Sequence, residues 1–92
     1  MPGAEPSRRR IQRDLVEADL DAAFALLYFA ETQSMAGLQE EACRALEEAD
    51  AACCDGQRRL GIPGSGEDRR VGLQLQRMRE LIDSMRSRLK AA

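Results

Sequence analysis

The sequence has no histidine and no tryptophan, and its 92 residues include only three aromatic side chains, Phe24, Tyr28 and Phe29. Without histidine, the chain lacks the usual general base for a serine or cysteine nucleophile and the commonest metal ligand. Because aromatic residues are few, each buried position contributes little apolar area. A chain of this length buries only about two-thirds of its unfolded surface, so we expect one domain with a thin core.

Long hydrophobic runs are also missing, and the three cysteines cannot all pair within one chain. The longest apolar run covers residues 22–30, whereas a membrane-spanning helix needs about 20 residues. No N-terminal segment has the apolar core of a signal peptide. We therefore expect a protein of the reducing cytoplasm that does not enter a membrane. The excess of arginine over lysine, 13 to one, is typical of GC-rich genes and indicates a bacterial source.

The net charge of −2 conceals an uneven distribution along the chain. Residues 1–13 carry +3, residues 14–57 carry −10 and residues 58–92 carry +5. Successive segments of opposite charge indicate either that the segments pack together or that one of them pairs with a second chain. A solvated surface of mixed charge is the remaining interpretation.

The N-terminal part of the chain predicts a short tail followed by a helix. Residues 1–7 contain two prolines and a glycine and predict a disordered tail. Residues 8–34 have helical periodicity. Their apolar positions cover more than half of the circumference, which predicts contacts with two neighbours: Leu15, Val16, Ala18, Ala22, Ala23, Ala25, Leu26, Leu27, Phe29 and Ala30.

Two further helices are predicted after a turn at Gly37, which can adopt the left-handed conformation that ends a helix. The second helix covers residues 38–60, and its buried seam consists mostly of small residues: Leu38, Ala42, Ala45, Leu46, Ala49, Cys53, Gly56 and Leu60. A loop at residues 61–66, with one proline and three glycines, separates it from the third helix. Ser65 and Asp68 have the spacing of a capping box at the start of that helix.

The third helix, over residues 66–90, has a narrow apolar face. Six residues at heptad spacing form its seam: Val71, Leu75, Met78, Ile82, Met85 and Leu89. Leu73 and Leu81 lie off this seam. The predicted fold class is all-α, with residues 8–92 forming a three-helix antiparallel bundle because both connections are short.

Apolar residues flank the turn at Gly37 at regular offsets, with Leu26, Phe29 and Ala30 before it and Ala42, Leu46 and Ala49 after it. This pattern, over residues 23–56, resembles a single tetratricopeptide repeat. It departs from that family in having no tryptophan in the first helix, Gln33 at the usual tyrosine position and Cys54 near the usual proline. The resemblance implies a helical hairpin that binds peptides or proteins. Because one repeat cannot bury its own apolar face, the third helix or a second copy of the chain would cover it.

No group of residues in the sequence has the pattern of a catalytic, metal or cofactor site. Cys43 and Cys54 lie eleven residues apart in one helix, which separates them by about 16 Å along its axis. One zinc ion cannot bind both thiolates at that distance. The glutamates of that helix lie on an open face where carboxylates stay solvated. The glycine-rich loop is followed by Glu67 and Asp68, which would repel a phosphate. We expect no enzymatic activity, no metal and no cofactor.

Seven basic side chains lie on the third helix: Arg69, Arg70, Arg77, Arg79, Arg86, Arg88 and Lys90. Such a stripe could bind nucleic acid, which is the alternative function. The sequence pI of about 5.2 and the absence of aromatic residues from the basic segment favour a protein partner instead.

Asp19 is a candidate member of a buried ion pair. The helical wheel places it inside the apolar arc, near Leu15 and Ala23, where an unpaired carboxylate would cost several kcal/mol. We predict an arginine partner from the C-terminal half of the chain. Alternatively, Asp19 lies near an edge of the bundle and reaches water.

Phe24 and Tyr28 are the candidate interface residues. They are four residues apart on one side of the first helix, among its charged residues. Local helix formation does not require aromatic side chains there, and burying both can contribute roughly 2 to 5 kcal/mol. Either the third helix folds across them, or a symmetric dimer or a partner helix docks there. We predict a non-catalytic protein-interaction or scaffold module that self-associates: a protein partner or, in a homodimer, a second copy of the chain binds at this surface.

Overall fold

The computed structural model describes residues 4–62, 64 and 66–91, with side chains from residue 10 onward. Its three helices are α1 (Ala4–Met35), α2 (Gln39–Leu60) and α3 (Gly66–Ala91), and the described residues include no strand. The helices form a rod of 56 × 16 × 14 Å. Arg13, in the N-terminal third of α1, contacts Glu67 at the start of α3. Glu31 near the end of α1 lines the same surface hollow as Arg88 near the end of α3, so these two helices run parallel and α2 runs antiparallel to both. The predicted all-α three-helix bundle is confirmed.

Helix α1 begins earlier than the sequence predicts. It includes residues 4–7, which were expected in a disordered tail, while residues 1–3 of that tail lie outside the described residues. Pro6 is the third residue of the helix. A proline in the first turn costs no helical hydrogen bond, because the first backbone N–H groups have no partner within the helix.

The turn between α1 and α2 is a Schellman motif centred on Gly37. Gly37 has a φ of 83°, in the left-handed region that favours glycine. The N–H of Leu38 donates to the carbonyl oxygen of Gln33 at 2.8 Å, and the N–H of Gly37 donates to that of Ser34 at 3.0 Å. These bonds satisfy carbonyls at the end of α1 and bring α2 back along it.

At the other connection, the carboxylate of Asp68 accepts a hydrogen bond from the backbone N–H of Gly64 at 3.1 Å. This bond joins the loop to the first turn of α3. Ser65, the other member of the predicted capping box, lies outside the described residues.

The core forms where one narrow face of each helix meets the other two. All six residues of the α3 heptad seam are buried, as predicted. Helix α2 buries most of its predicted seam, while Leu38 at its start is 47% exposed. From residue 10 onward, the fully buried residues of α1 are Val16, Ala23 and Ala30. Because the facing residues of α1 and α2 are small, these helices approach closely.

The predicted burial of the wide α1 arc is wrong on one side. Leu15 and Phe29 are 45% and 47% exposed, although both lie in that arc. Helix α3 lies against only a narrow strip of α1, so the far side of the arc has no neighbour. The exposed positions follow 4-3-4-3-4 spacing, and we call them the α1 stripe: Ile11, Leu15, Ala18, Ala22, Ala25 and Phe29.

The acidic segment, residues 14–57, and the basic segment, residues 58–92, pack together within the chain, which is one of the three interpretations raised by the sequence; Arg13 of the first basic segment contacts acids of α3 instead. Asp50 of α2 lies 3.6 Å from Nε of Arg79 and 3.7 Å from Nη2 of Arg86, both in α3. Arg13 of α1 contacts Glu67 and lies 3.5 Å from Asp68 at the start of α3. These ion pairs join each helix to α3.

Candidate functional site

An apolar groove runs between α1 and α3 on the face of the rod that α2 does not cover. Two hollows of about 280 and 330 Å³ follow each other along it. Phe24 of α1 and Leu81 of α3 line both hollows. We call this surface the α1/α3 groove, and its apolar residues are Leu20, Phe24, Leu27, Tyr28, Met78, Leu81 and Met85.

The two predicted interface residues are exposed in this groove. Phe24 is 62% exposed and Tyr28 is 69% exposed. Helix α3 runs beside them but does not cover them. Its apolar face is one residue wide at each turn and packs into the core between α1 and α2, away from these two side chains. Leu81 of α3, which lies off that seam, is also 53% exposed. The groove therefore presents large apolar side chains to solvent.

Charged side chains border the groove, with one sign on each helix. Asp21 and Glu31 belong to α1, and Arg77 and Arg88 belong to α3. Each hollow has one acid from α1 and one arginine from α3. All four side chains are exposed, and none makes an ion pair with another residue in the part of the chain that the structure describes.

Asp19 lies away from the groove, between α1 and α2. Its Oδ2 atom is 3.1 Å from Nε of Arg59, a residue of the C-terminal half. The pair is partly exposed rather than buried, with 21% of the Asp19 side chain accessible. The two groups are close enough for an ion pair, but Oδ2 is buried without a partner in hydrogen-bond geometry. This arrangement joins two helices and presents no reactive group.

Sequence reasoning missed most of the α3 side of the groove. Leu81 carried a signal, because it lies off the heptad seam and had no predicted partner. Met78 and Met85 belong to the seam, yet they also line the hollows. The rim arginines, Arg77 and Arg88, could not be distinguished in the sequence from the other basic residues of α3.

The basic side chains of α3 divide into two groups. Arg79 and Arg86 face Asp50, and Arg79 also donates a hydrogen bond to Oε1 of Gln57 at 3.2 Å. The remaining basic residues of the helix are exposed: Arg69, Arg70, Arg77, Arg88 and Lys90. Intrachain pairing therefore occupies part of the basic stripe on which the nucleic-acid alternative depends.

The three cysteines are unpaired and differ in environment. Cys43 is exposed, Cys54 is partly buried and Cys53 is buried in the core. Burial, followed by the negative charge of Asp50, raises the pKa of the Cys53 thiol to about 11. That thiol remains protonated near neutral pH and is a poor nucleophile.

Among the residues that the structure describes, no cluster of three or more histidine, cysteine, aspartate or glutamate side chains could hold a metal ion. Within the same residues, none of the helices has the length and apolar composition needed to cross a membrane.

Comparisons with protein-family models, with curated proteins and with solved structures gave no match to this chain. The resemblance of residues 23–56 to a tetratricopeptide repeat therefore stays a hypothesis.

Proposed function

We propose that this protein is a non-catalytic protein-interaction or scaffold module that self-associates through the α1/α3 groove. One observation carries the proposal. Phe24 and Tyr28, two of the three aromatic residues, are 62% and 69% exposed over an apolar groove in a protein with a thin core. Exposed apolar surface bordered by polar residues is typical of protein-docking sites.

The small core supports this assignment. Most buried residues of α1 and α2 are alanines, so little apolar area stabilises the isolated chain. Covering two aromatic rings and Leu81 would add apolar burial that the chain alone does not achieve. A module of this kind gains stability when it binds, because association favours the folded state.

The cysteine content supports a reducing compartment, and we propose a cytoplasmic location. An exposed thiol at Cys43 together with a buried thiol at Cys53 suits conditions in which thiols stay reduced. Residues 23–56 resemble a tetratricopeptide hairpin, and such hairpins bind peptides or proteins. In this chain the partner of the hairpin would bind in the α1/α3 groove.

The test is the mass of the native protein in solution, measured by light scattering and sedimentation over a wide concentration range. We expect a dimer that dissociates on dilution. Phe24→Asp places a charge in the groove and should weaken association by more than about 2 kcal/mol, giving a monomer with an unchanged helical circular-dichroism signal. Tyr28→Glu is the second variant and should behave in the same way.

Leu73→Asp is the matched control, because Leu73 is an apolar residue of α3 that is 57% exposed and does not line the groove. It should leave the dimer intact. A native protein that is monomeric at high concentration overturns the proposal. So does a dimer that survives both groove variants but dissociates in Phe29→Asp, which would place the interface on the α1 stripe. Salt-sensitive binding to mixed-sequence DNA or RNA by a monomer would support the nucleic-acid alternative.

A further inference from the structure

Resting on the proposed function, we infer that the occupant of the groove is a second copy of this chain in a parallel arrangement. In this dimer a two-fold axis runs along the rod, so that α1 of each copy lies against α3 of the other. The inference depends on the charges at the rims of the groove and on their positions along it.

The two rims of the groove carry opposite charges, so each rim is attracted to the other kind of rim and repelled by a rim of its own kind. The α1 rim carries Asp21 and Glu31, and the α3 rim carries Arg77 and Arg88. Only an arrangement that opposes α1 to α3 places acids against arginines. Like charges placed opposite each other would disfavour the arrangement that opposes α1 to α1.

The levels of these charges select the direction of the axis. Asp21 and Arg77 line one hollow, and Glu31 and Arg88 line the other, so each acid lies at the height of one arginine. A two-fold axis along the rod preserves height and exchanges the two rims. Asp21 then faces Arg77 of the partner copy, and Glu31 faces Arg88 of the partner copy.

A two-fold axis across the rod gives a different result. It would lay α1 on α1 and α3 on α3, with the helices antiparallel. The acidic rims would then meet each other, and so would the arginine rims. The charges of the rims therefore favour the parallel dimer over the antiparallel dimer, the two arrangements in which this face can pair with its own copy.

The apolar residues at the centre of the groove agree with the parallel arrangement. Phe24 and Leu81 lie on opposite helices between the two hollows, so each would meet the other residue in the partner copy. The residues that line the two hollows extend over residues 20–31 of α1 and residues 74–88 of α3, which is about 20 Å of the 56 Å rod. A stable interface commonly buries about 800 Å² on each partner, so the dimer contact also includes surface beyond the hollows.

Charge reversal tests the arrangement in the full chain. Asp21→Arg would oppose two arginines at both symmetric contacts, and Arg77→Asp would oppose two aspartates. We expect each single variant to raise the dimer dissociation constant about tenfold, which corresponds to about 1.4 kcal/mol. The double variant, Asp21→Arg with Arg77→Asp, should regain the native constant within about threefold. At 1 M salt the variants should converge, because the screening length falls to about 3 Å.

The control is Glu48→Arg, which reverses an exposed charge of α2 outside the groove and should leave the constant unchanged. A double variant as weak as the single variants overturns the parallel arrangement. So does tighter association of Asp21→Arg, which is the result expected if α1 met α1. These outcomes leave the proposed function intact when Phe24→Asp still dissociates the dimer, whereas a monomeric native protein removes both.

Discussion

Gly56 of α2 lies directly against Leu75 of α3, at the point where all three helices meet. A Cβ atom at position 56 would come within 3.1 Å of Cδ2 of Leu75 and within 3.4 Å of Cβ of Asp19. Glycine is therefore used here for the close approach of helices, and its φ is not in the left-handed region.

This contact predicts that Gly56→Val destabilises the protein by about 1–3 kcal/mol, because the added methyl groups must displace a fully buried leucine. Urea unfolding followed by circular dichroism measures the change. Gly66→Val is the control, since a Cβ at position 66 meets nothing within 4 Å. Equal stability of the two variants would show that α2 and α3 separate more easily than the contact implies.

The sequence predicted the α3 seam completely but not the burial of α1, and the difference has a physical cause. Residues at heptad spacing on an otherwise polar helix have only one face to bury, so Val71 to Leu89 could be assigned without knowing the partner. Helix α1 has apolar residues over more than half of its circumference. Leu15 and Phe29 could each have been core residues, and only the placement of α3 determines that they are exposed.

The candidate site was predictable in part for the same reason. Phe24 and Tyr28 stood out because they are aromatic residues among charged ones. The groove itself depends on how far α3 lies from α1, which helical periodicity does not encode. Its far rim, Arg77 and Arg88, is defined only when α3 is placed parallel to α1.

The contact between Asp19 and Arg59 predicts an energetic coupling between α1 and α2. Asp19→Asn should destabilise the protein by about 1 kcal/mol, and a double-mutant cycle with Arg59→Gln should give a coupling of about 0.5 kcal/mol. Thermal or urea unfolding measures all four proteins. Asp14→Asn, an exposed change in α1 without an ion pair among the described residues, should cost nothing measurable. A cycle that sums to zero would mean that the two charges act independently.

The buried thiol of Cys53 predicts a loss of stability in alkaline solution. Its pKa rises from 9.0 to about 11 on folding, so the unfolded chain releases this proton at a lower pH than the folded chain does. The free energy of unfolding should therefore fall between pH 9 and about pH 11, by roughly 2 kcal/mol. Below pH 9 the thiol is protonated in both states, so this part of the free energy of unfolding is fully present.

Cys53→Ala isolates this contribution, because every other ionisable side chain remains in the variant. We expect the variant to be less stable than the native protein at neutral pH and to lack this part of the alkaline decline. Parallel slopes for the two proteins above pH 9 would show that Cys53 ionises in the folded chain as easily as in the unfolded one.

Tyr28 gives a direct optical reading of the groove, because it is the only tyrosine and the chain contains no tryptophan. In the single chain Tyr28 is 69% exposed, so acrylamide should quench its fluorescence readily. As the protein concentration rises and copies associate across the groove, the quenching constant should fall in step with the increase in mass. The Leu73→Asp protein should show the same protection, whereas the Phe24→Asp protein should remain quenchable at every concentration. Constant quenching of the native protein while its mass doubles would mean that the copies meet elsewhere, for example at the α1 stripe, whose large residues Ile11, Leu15 and Phe29 are also exposed.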